Sequence, residues 1–407
     1  MSAFDEIRLE ALGRLDRRRM DPGVDPQAVR ALVEDLVDEY ERRSRAGATR
    51  ALGSRKSMVD RLVVSLTGFG HLAEVLSSPD VEEIFIEGER VTFLDTSGRL
   101  RPLGQPTSAT ENRHVVDRLV ASADRRLDHA SPIVQARVLD GSARLTAVAP
   151  PIADRLSVTI RRFIGRNESL GELVSLGAIS SEAVELLTRV MAANSSVVIS
   201  GPPGAGKTTL LSAMVRAVPA DHCVRVVEEV RELRMPLLHG SCYQARGPGM
   251  DGSAALTLRD LIKVVLAMRP TRIVVGEVRG AESFELTRAV NAGAGFACTV
   301  HANSAADAFD ALVNAALMAG EHVPADAVRS VFASAVDLVV HVELEVVAAE
   351  SRLLRGVKEI SAVDPADPSG RTLIPVFRRD RLDRPLAATG SRLPDRLRRR
   401  LDRLGSP

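Results

Sequence analysis

The run GPPGAGKTT at 201–209 is the feature that most constrains how this chain can fold. A short apolar segment, SSVVIS (195–200), precedes the run, and a segment with helical spacing, TTLLSAMVRAV (208–218), follows it. Glycines let the backbone turn tightly and direct its N–H groups inward, and a helix that begins at such a turn presents the positive end of its dipole. The order of strand, glycine-rich loop and helix therefore predicts a phosphate-binding loop.

Residues of this loop have distinct predicted roles. Lys207 supplies a compact cation to the β- and γ-phosphates, and Thr208 supplies a hydroxyl to Mg²⁺. Lysine occurs at only four positions, so arginine provides 54 − 4 = 50 of the basic residues, and a lysine at 207 is therefore informative. We expect ATP and Mg²⁺ as cofactors. The other predicted nucleotide-binding residues of the loop are Gly201, Pro202, Pro203, Gly204, Ala205, Gly206 and Thr209.

Two apolar segments that read as strands end on carboxylates. RIVVGE (272–277) ends on Glu277, and CVRVVEEV (223–230) contains the adjacent Glu228 and Glu229. Because the carboxyl ends of parallel strands meet at one edge of a sheet, these acids are expected at the edge where such sheets bind ligands. A phosphate-binding loop needs an acid there to hold the metal shell or to polarise water. Thr208 and Glu277 are the predicted metal site.

One histidine and several arginines accompany the acidic segments. His301 directly follows the apolar segment FACTV (296–300), and we expect it to sense the γ-phosphate by hydrogen bonding. Arg246, Arg269 and Arg279 lie close in sequence to the acids, and any of them could act as an arginine finger. The predicted catalytic residues are Glu277, Glu228, His301, Arg246 and Arg279.

The order of apolar and helical segments predicts the fold class. From 178 to about 345 the pattern is β-α-β, which implies a parallel sheet with helices on both faces. Segment 82–103 alternates like a hairpin, with turns at 87–88 and 97–98. The fold class is therefore predicted as α/β, with a smaller α+β domain and a helical N-terminal segment before the phosphate-binding core. The predicted domains are 1–57 (helical segment and linker), 58–168 (α+β domain), 169–378 (phosphate-binding domain) and 379–407 (basic tail).

Composition limits the classes of function. With 54 basic and 53 acidic residues the net charge is +1, which gives no general attraction to nucleic acid or anionic membrane. No apolar run approaches the ~18 residues of a membrane span, and the N-terminus is charged rather than signal-like. The three cysteines form neither a disulfide framework nor a zinc pair. We expect a cytoplasmic protein that reaches membranes through partners, with a tail that is disordered or forms a solvated helix rather than docking.

Six stretches, in chain order, resemble the ATPases that power type II and type IV secretion and pilus assembly. The match is best to the tight-adherence (Tad/Flp) pilus branch, commonly called CpaF-like. GPPGAGKTT is similar to the Walker A motif of that family, and TVHANSAADA (299–308) is similar to its His box. The other stretches are GFGHLAEVLSSPDVEEIFIEG (68–88), RLDHASPIVQARVLDGSARLTAVAPP (126–151) with TIRRF (159–163), VVEEVREL (226–233), which resembles the acidic box, and AMRPTRIVVGEVRGAE (267–282), which resembles Walker B.

The resemblance implies a RecA-like C-terminal ATPase domain behind an N-terminal domain, in a ring that is usually a hexamer. ATP would be held between the two domains and near a neighbouring subunit, and an inner-membrane platform protein would be the partner. By position, Glu277 matches the Walker B glutamate, Glu228 matches the acidic-box glutamate that prepares the attacking water, and His301 matches the His-box histidine. Arg246 matches the arginine after the acidic box. The N-terminal arginines that would reach the nucleotide are Arg137, Arg144 and Arg161.

The sequence also departs from the family pattern. The family often has an earlier histidine in its His box, where this chain has Ala294 and Gly295, so the resemblance does not extend to a two-histidine arrangement. Glu229 stands where aspartate is common. The chain has no four-cysteine zinc module, which argues against the branch of type II secretion ATPases that carries one.

The predicted function is a cytoplasmic, Mg²⁺-dependent ATPase motor that powers Tad/Flp pilus assembly or type II/IV secretion, peripheral to the inner face of the cytoplasmic membrane. A conjugative DNA-transfer ATPase of the same superfamily is an alternative. A nucleotide-binding switch or scaffold is another, and Glu277 and Glu228 argue against it. A RecA-like nucleic-acid motor is disfavoured by the near-zero net charge and the scarcity of aromatic residues, so we expect no direct nucleic-acid contact.

Overall fold

The computed structural model divides the chain into two compact units, Met1–Ile164 and Gly165–Pro407. Each unit has its own sheet and its own buried cluster of apolar side chains. The four domain boundaries predicted from the sequence stay a prediction. The residues that the structure describes are 3–17, 26–47, 51–163, 169–233, 235–247, 254–320, 323–347, 352–370 and 372–404.

Three helices open the first unit: α1 (Ala3–Arg17), α2 (Pro26–Arg45) and α3 (Arg55–Thr67). The apolar positions of α2 that gave the helical pattern are buried against the other two helices, with Val33, Leu36 and Tyr40 at 2% exposure or less. This follows from helical spacing, because residues three and four apart share one face. A 3₁₀ turn at Gly70–Leu72 leads into the short α4 (Ala73–Ser77).

An antiparallel sheet completes the first unit. Among the described residues its strand order is β3-β2-β1-β6-β5-β4. Both turns predicted in the hairpin segment are present, and Gly88 and Gly98 adopt positive φ there. Helix α5 begins with a capping box between Ser108 and Glu111 and packs on one face of the sheet. The elements are β1 (Val81–Glu87), β2 (Arg90–Asp95), β3 (Leu100–Pro102), α5 (Ala109–Ala121), β4 (Ile133–Val138), β5 (Ala143–Val148) and β6 (Ser157–Arg162).

The second unit alternates strands and helices as its sequence pattern predicts. Its elements are α6 (Leu170–Ser175), α7 (Ser181–Ala192), β7 (Val197–Gly201), α8 (Lys207–Arg216), β8 (Val224–Glu228), β9 (Gly240–Gln244), α9 (Leu258–Leu266), β10 (Arg272–Val275), α10 (Glu282–Asn291), β11 (Gly295–His301), α11 (Asp307–Leu317), α12 (Ala325–Ala335), β12 (Leu338–Val347), β13 (Arg352–Val363), β14 (Leu373–Arg378), β15 (Ala387–Ala388) and α13 (Asp395–Asp402).

In the described part of this unit the strands form one sheet in the order β15-β14-β13-β12-β7-β11-β10-β8-β9. The stretch from β12 to β9 is parallel, and successive side chains of its strands enter two separate apolar clusters: Val197 and Ile199 on one face, Val198 on the other. The predicted α/β class, with a parallel sheet covered on both faces, is confirmed. The antiparallel extension formed by β13, β14 and β15 was not foreseen, because the sequence pattern was followed as β-α-β only to about 345.

The basic tail differs from the disordered or solvated end expected of it. It does form a short helix, α13, but Leu397 and Leu401 of that helix are buried in the core of the second unit. Arg396 and Arg400 both contact Asp337, at 2.9 and 2.6 Å, and the Asp337 carboxylate is fully buried. The expectation was wrong because charge composition hides the two leucines, four residues apart, that give α13 one apolar face.

We expect Asp337→Ala to release α13. The free energy of unfolding of the second unit should fall by about 1–3 kcal/mol, because two arginines and the Ser196 backbone N–H lose their shared acceptor. Hydrogen exchange should show faster exchange of the α13 amides. Asp402→Ala is the matched control, since Asp402 is exposed on the same helix. Equal protection of α13 in both variants would refute the role given to Asp337.

Candidate functional site

The loop between β7 and α8 is shaped by two glycines. Gly201 has a φ of 155°, and a Cβ on it would overlap the carbonyl oxygen of Val342 on the neighbouring β12. Gly206 is the N-cap of α8 and has a φ of 95°, in the left-handed region that favours glycine. The strand therefore enters the loop close against β12 and leaves it through a left-handed turn. Residues 201–209, all predicted to bind nucleotide, lie on this strand end, loop and first turn of α8.

Lys207, the first residue of α8, is turned back onto the loop and is mostly buried. Its Nζ donates to the carbonyl oxygens of Gly201 and Pro202, at 2.9 and 3.0 Å. It also lies 3.0 Å from Nδ1 of His301. The cation predicted to meet the phosphates is thus fixed inside the curve of the loop.

Strand register brings His301 to this lysine. In the parallel pairing of β7 and β11, His301 lies opposite Gly201. The Nε2 atom of His301 contacts Oε1 of Glu277, and Oε2 of Glu277 accepts from Nη2 of Arg279 at 2.6 Å. Lys207, His301, Glu277 and Arg279 therefore form one continuous line across the ends of neighbouring strands.

Hydrogen bonds with β11 hold the segment that carries Glu277. Thr299 donates its hydroxyl to the Gly276 carbonyl at 2.6 Å, and the N–H of Val278 donates to the Thr299 carbonyl at 2.8 Å. Glu277 follows the end of β10 by two residues and is thereby kept beside His301. The sequence placed an acid at a strand end, and these bonds determine where its carboxylate points.

His301 is neutral in this arrangement. Burial lowers the pKa of His301 most, and the cations of Lys207 and Arg279 lower it further, while Glu277 opposes them. Because the ammonium of Lys207 can only donate, Nδ1 must be the acceptor, and the ring hydrogen then sits on Nε2, facing Glu277. The contacts of the ring thus fix its tautomer.

Glu228 ends β8 and is almost fully buried. Its Oε1 accepts from the backbone N–H groups of Glu232 and Leu233, at 3.0 and 3.1 Å. A Cβ at Gly276 would lie 2.9 Å from Cγ of Glu228, so this glycine makes room for the buried acid next to the segment of Glu277. Gly276 was not predicted as a site residue, although its place before Glu277 in the sequence was a usable signal.

The structure does not bring Arg246 to this line of residues. Arg246 follows the edge strand β9, pairs its backbone with Leu256, and reaches the Ala254 carbonyl at 3.4 Å with its guanidinium. By contrast, Arg279 contacts Glu277 directly and lies 3.9 Å from Glu229. Of the two arginines predicted as catalytic, Arg279 is the one at the strand ends with the acids.

Three predicted nucleotide-binding arginines lie in the first unit, in one row of its sheet. Arg137 on β4 is opposite Arg144 on β5, which is opposite Arg161 on β6. Arg161 lies 3.5 Å from Glu83, Arg144 donates to Gln135 at 2.8 Å, and the Arg137 guanidinium packs over the ring of Phe163. Like charges directly opposite each other on a sheet are destabilising. Such a row favours an anionic ligand.

The position where the family often has an earlier histidine lies at the opposite end of β11 from this edge of the sheet. Ala294 and Gly295 stand at the beginning of β11, whereas His301 ends it. Six residues of strand separate the two ends by about 20 Å. A Cβ at Gly295 would overlap the Asn194 carbonyl, which explains the glycine as a packing requirement.

A second histidine lies behind the loop and was not predicted. His341 on β12 is 4% exposed, and its Nδ1 lies 3.0 Å from the hydroxyl of Ser200, the residue before Gly201. Its Nε2 is 3.6 Å from Glu343, and burial lowers the pKa of His341 against the opposing effect of that carboxylate. No motif marks this residue in the sequence, because its contact depends on the pairing of β12 with β7.

Comparison with known proteins identifies the family. The model of the Type II/IV secretion system protein family matches residues 76–359. The chain belongs to this family. The matched range contains the loop, both acidic strand ends, His301 and the arginine row, whereas α1, α2 and α3 lie before it.

Three proteins of similar sequence are consistent with membership of this family. A Mycobacterium tuberculosis (strain H37Rv) protein whose name provisionally assigns it to conjugal transfer is 35% identical over 290 residues, covering 69% of this chain and 82% of that protein. The type IV secretion system protein PtlH of Bordetella pertussis is 29% identical over 301 residues, covering 66% of this chain and 87% of PtlH. The conjugal transfer protein TrbB of Rhizobium radiobacter is 28% identical over 294 residues, covering 70% and 84%.

Solved structures of low identity share the fold. The Legionella pneumophila ATPase DotB matches with a TM-score of 0.51 at 18% identity, over 72% of this chain and 79% of DotB. The pilus retraction motor PilT, solved with bound ADP, matches with a TM-score of 0.50 at 19% identity, over 68% and 79%. The predicted RecA-like core is confirmed at the level of fold.

Within the described residues, no helix is both long enough and apolar enough to cross a bilayer.

Substitution of the two adjacent glutamates at the end of β8, Glu228 and Glu229, should change the stability of the protein to different extents. Glu228→Ala should lower the free energy of unfolding of the second unit by about 1–3 kcal/mol, because two backbone N–H groups lose their acceptor in a buried place. Glu229→Ala should change it by less than about 0.5 kcal/mol, because that side chain is half-exposed. Urea unfolding measures both. Similar losses in the two variants would contradict the structural difference between them.

Proposed function

We propose that this family member is a Mg²⁺-dependent ATPase motor that powers assembly of a Tad/Flp-type pilus or type II/IV secretion. The observation that carries the proposal is the line from Lys207 through His301 to Glu277 at the mouth of the glycine-rich loop. It joins a phosphate-binding cation, a polar side chain and an acid at the edge of the sheet where doubly wound folds bind ligands.

The residues present fit a magnesium nucleotide. Oε1 of Glu277 is buried and lies against Nε2 of His301, and a carboxylate oxygen has more than one lone pair, so it has capacity for a further partner. Carboxylate and hydroxyl oxygens are ligands that Mg²⁺ prefers, and Thr208 and Glu277 would hold it. Among those residues no group of three or more His, Cys, Asp and Glu side chains could hold a metal alone. Bound Mg²⁺ would offset the charge of the phosphates, and phosphate oxygens would complete its coordination.

Each side chain then has a defined task in hydrolysis. Lys207 offsets phosphate charge, and Glu228 and Glu277 orient and polarise the attacking water. His301 offers a hydrogen bond to the γ-phosphate. Arg279 lies where an arginine finger would be needed, and Arg246 is the other candidate on the exposed edge.

The proposed assembly is a homo-oligomeric ring, a hexamer. We also propose that the row of Arg137, Arg144 and Arg161 takes part in nucleotide binding, because the register aligns three guanidinium groups on one face of the sheet. The proposed partner is an inner-membrane platform protein, and the proposed location is the cytoplasmic face of that membrane. We expect no direct contact with nucleic acid, since the net charge is +1.

Conjugative DNA transfer is the second candidate function. It is favoured by the names of two relatives, the Mycobacterium tuberculosis protein and TrbB. Genes for pilin and a platform protein beside this one would support the pilus motor, whereas genes for a relaxase and a coupling protein would favour DNA transfer. A switch or scaffold that does not hydrolyse ATP is disfavoured by Glu228 and Glu277.

Lys207→Ala should abolish ATP hydrolysis. We expect kcat/KM to fall by about 100-fold or more, because a cation aimed at the developing phosphate charge is lost. A coupled assay of phosphate release on the full chain, with and without Mg²⁺, measures this. Lys263→Ala is the control, since Lys263 is half-exposed on α9 beside Glu285. A fully active Lys207→Ala variant, or wild-type protein that binds ATP without hydrolysing it even as a hexamer, would overturn the proposal.

Arg144→Ala should weaken nucleotide binding although it lies in the other unit. We expect the Kd for ATP to rise by about tenfold, the effect of losing one charged hydrogen bond. Titration with a fluorescent ATP analogue measures it, and Arg126→Ala, an exposed arginine of the same unit, is the control. An unchanged Kd would show that the arginine row serves another ligand.

A further inference from the structure

The ammonium group of Lys207 already makes hydrogen bonds within the protein when the loop is empty. It has three N–H donors, and its acceptors include the carbonyls of Gly201 and Pro202 and the ring of His301. A phosphate that enters the loop competes for these donors. Binding therefore requires that at least one of these existing contacts be given up.

Of these contacts, the one between Lys207 and His301 is the easiest to break. The carbonyls of Gly201 and Pro202 belong to the strand end and loop backbone, and Gly201 is held against Val342 of β12. His301 reaches Lys207 with a side chain that is 42% exposed at the end of β11. A side chain changes rotamer on a faster timescale than a paired strand end rearranges.

The other ring nitrogen of His301, Nε2, contacts the carboxylate of Glu277. With Nδ1 accepting from Lys207, the hydrogen on Nε2 faces Oε1 of Glu277, and Arg279 binds the other oxygen at 2.6 Å. When Lys207 turns to a phosphate, His301 loses the partner that fixes its tautomer and orientation. Oε1 of Glu277 then becomes available to water or metal.

We propose that His301 is a positioning residue that links the filling of the phosphate loop to the release of Glu277. In the empty site the ring holds Lys207 and Glu277 together, so the acid is engaged while no phosphate is present. A bound phosphate takes Lys207 away from the ring and frees the acid for the reaction. The inference rests on the proposed ATPase function and adds a regulation of that same site.

Nucleotide binding by full-length variants tests the link. His301→Ala removes the competitor for Lys207, so ADP without Mg²⁺ should bind about two- to tenfold more tightly, the range for one lost hydrogen bond. In the same variant kcat should fall by about tenfold or more, because the released ring can no longer offer its hydrogen bond to the γ-phosphate. General damage to the fold would not produce tighter ADP binding together with slower turnover.

His301→Gln is the matched control. A glutamine can accept from Lys207 with its oxygen and donate to Glu277 with its nitrogen, so it should restore the ADP Kd to within about threefold of wild type and recover part of the kcat lost in His301→Ala. His301→Leu removes both contacts with a side chain of greater bulk than alanine and should behave as His301→Ala. Thermal melting of all three variants checks that they are folded.

Unchanged or weaker ADP binding in both His301→Ala and His301→Leu would overturn the inference. Weaker binding of a non-hydrolysable ATP analogue with unchanged ADP binding would show instead that His301 only senses the γ-phosphate. A wild-type chain without Mg²⁺-dependent hydrolysis would defeat the proposed function, and the ADP comparison would still decide whether His301 competes for Lys207.

Discussion

The parallel register of β7, β11, β10 and β8 is the constraint on which the site depends. It places His301 opposite Gly201, Cys298 opposite Val275, and Val275 opposite Val227. Because these strands run the same way, the residues after them meet at one edge. A slip of one residue would move every side chain to the opposite face of the sheet. The register is secured by burial on both faces, since alternate residues of the strands enter two separate apolar clusters.

Charge at that edge is balanced within the chain before any nucleotide enters. Lys207 faces Glu277 across a neutral histidine, and Arg279 pairs with Glu277 directly. Glu228 accepts from backbone N–H groups of its own loop. Burying ionised groups is costly unless they are paired or hydrogen-bonded, so these contacts let the loop fold without ligand. The same contacts compete with phosphate, and a ligand must displace part of the network that stabilises the empty site.

Several arginines hold segments of the second unit together rather than serving as surface charge. Arg272 is completely buried at the start of β10 and donates to the carbonyls of Ser195 and Met191. Arg379 donates to the carbonyls of Val357 and Ala178 and joins the antiparallel extension to the start of the second unit. Arg396 and Arg400 attach α13 through Asp337. Arginine suits this role because its planar guanidinium group presents several N–H donors in a fixed geometry.

The sequence by itself determined the loop, the acidic strand ends and the order of β-α-β units, because each of these depends on neighbours in the chain. A glycine-rich turn between an apolar strand and a helix has few other uses, and carboxylates after apolar strands must lie at one edge of a parallel sheet. Tertiary structure alone decided which side chains touch. The contact of Lys207 with His301 joins residues 94 positions apart, and that of His341 with Ser200 joins residues 141 apart. Such contacts arise from strand pairing between distant segments, which periodicity within one segment does not reveal. The docking of α13 was hidden for the same reason, since its partner Asp337 precedes it by about sixty residues.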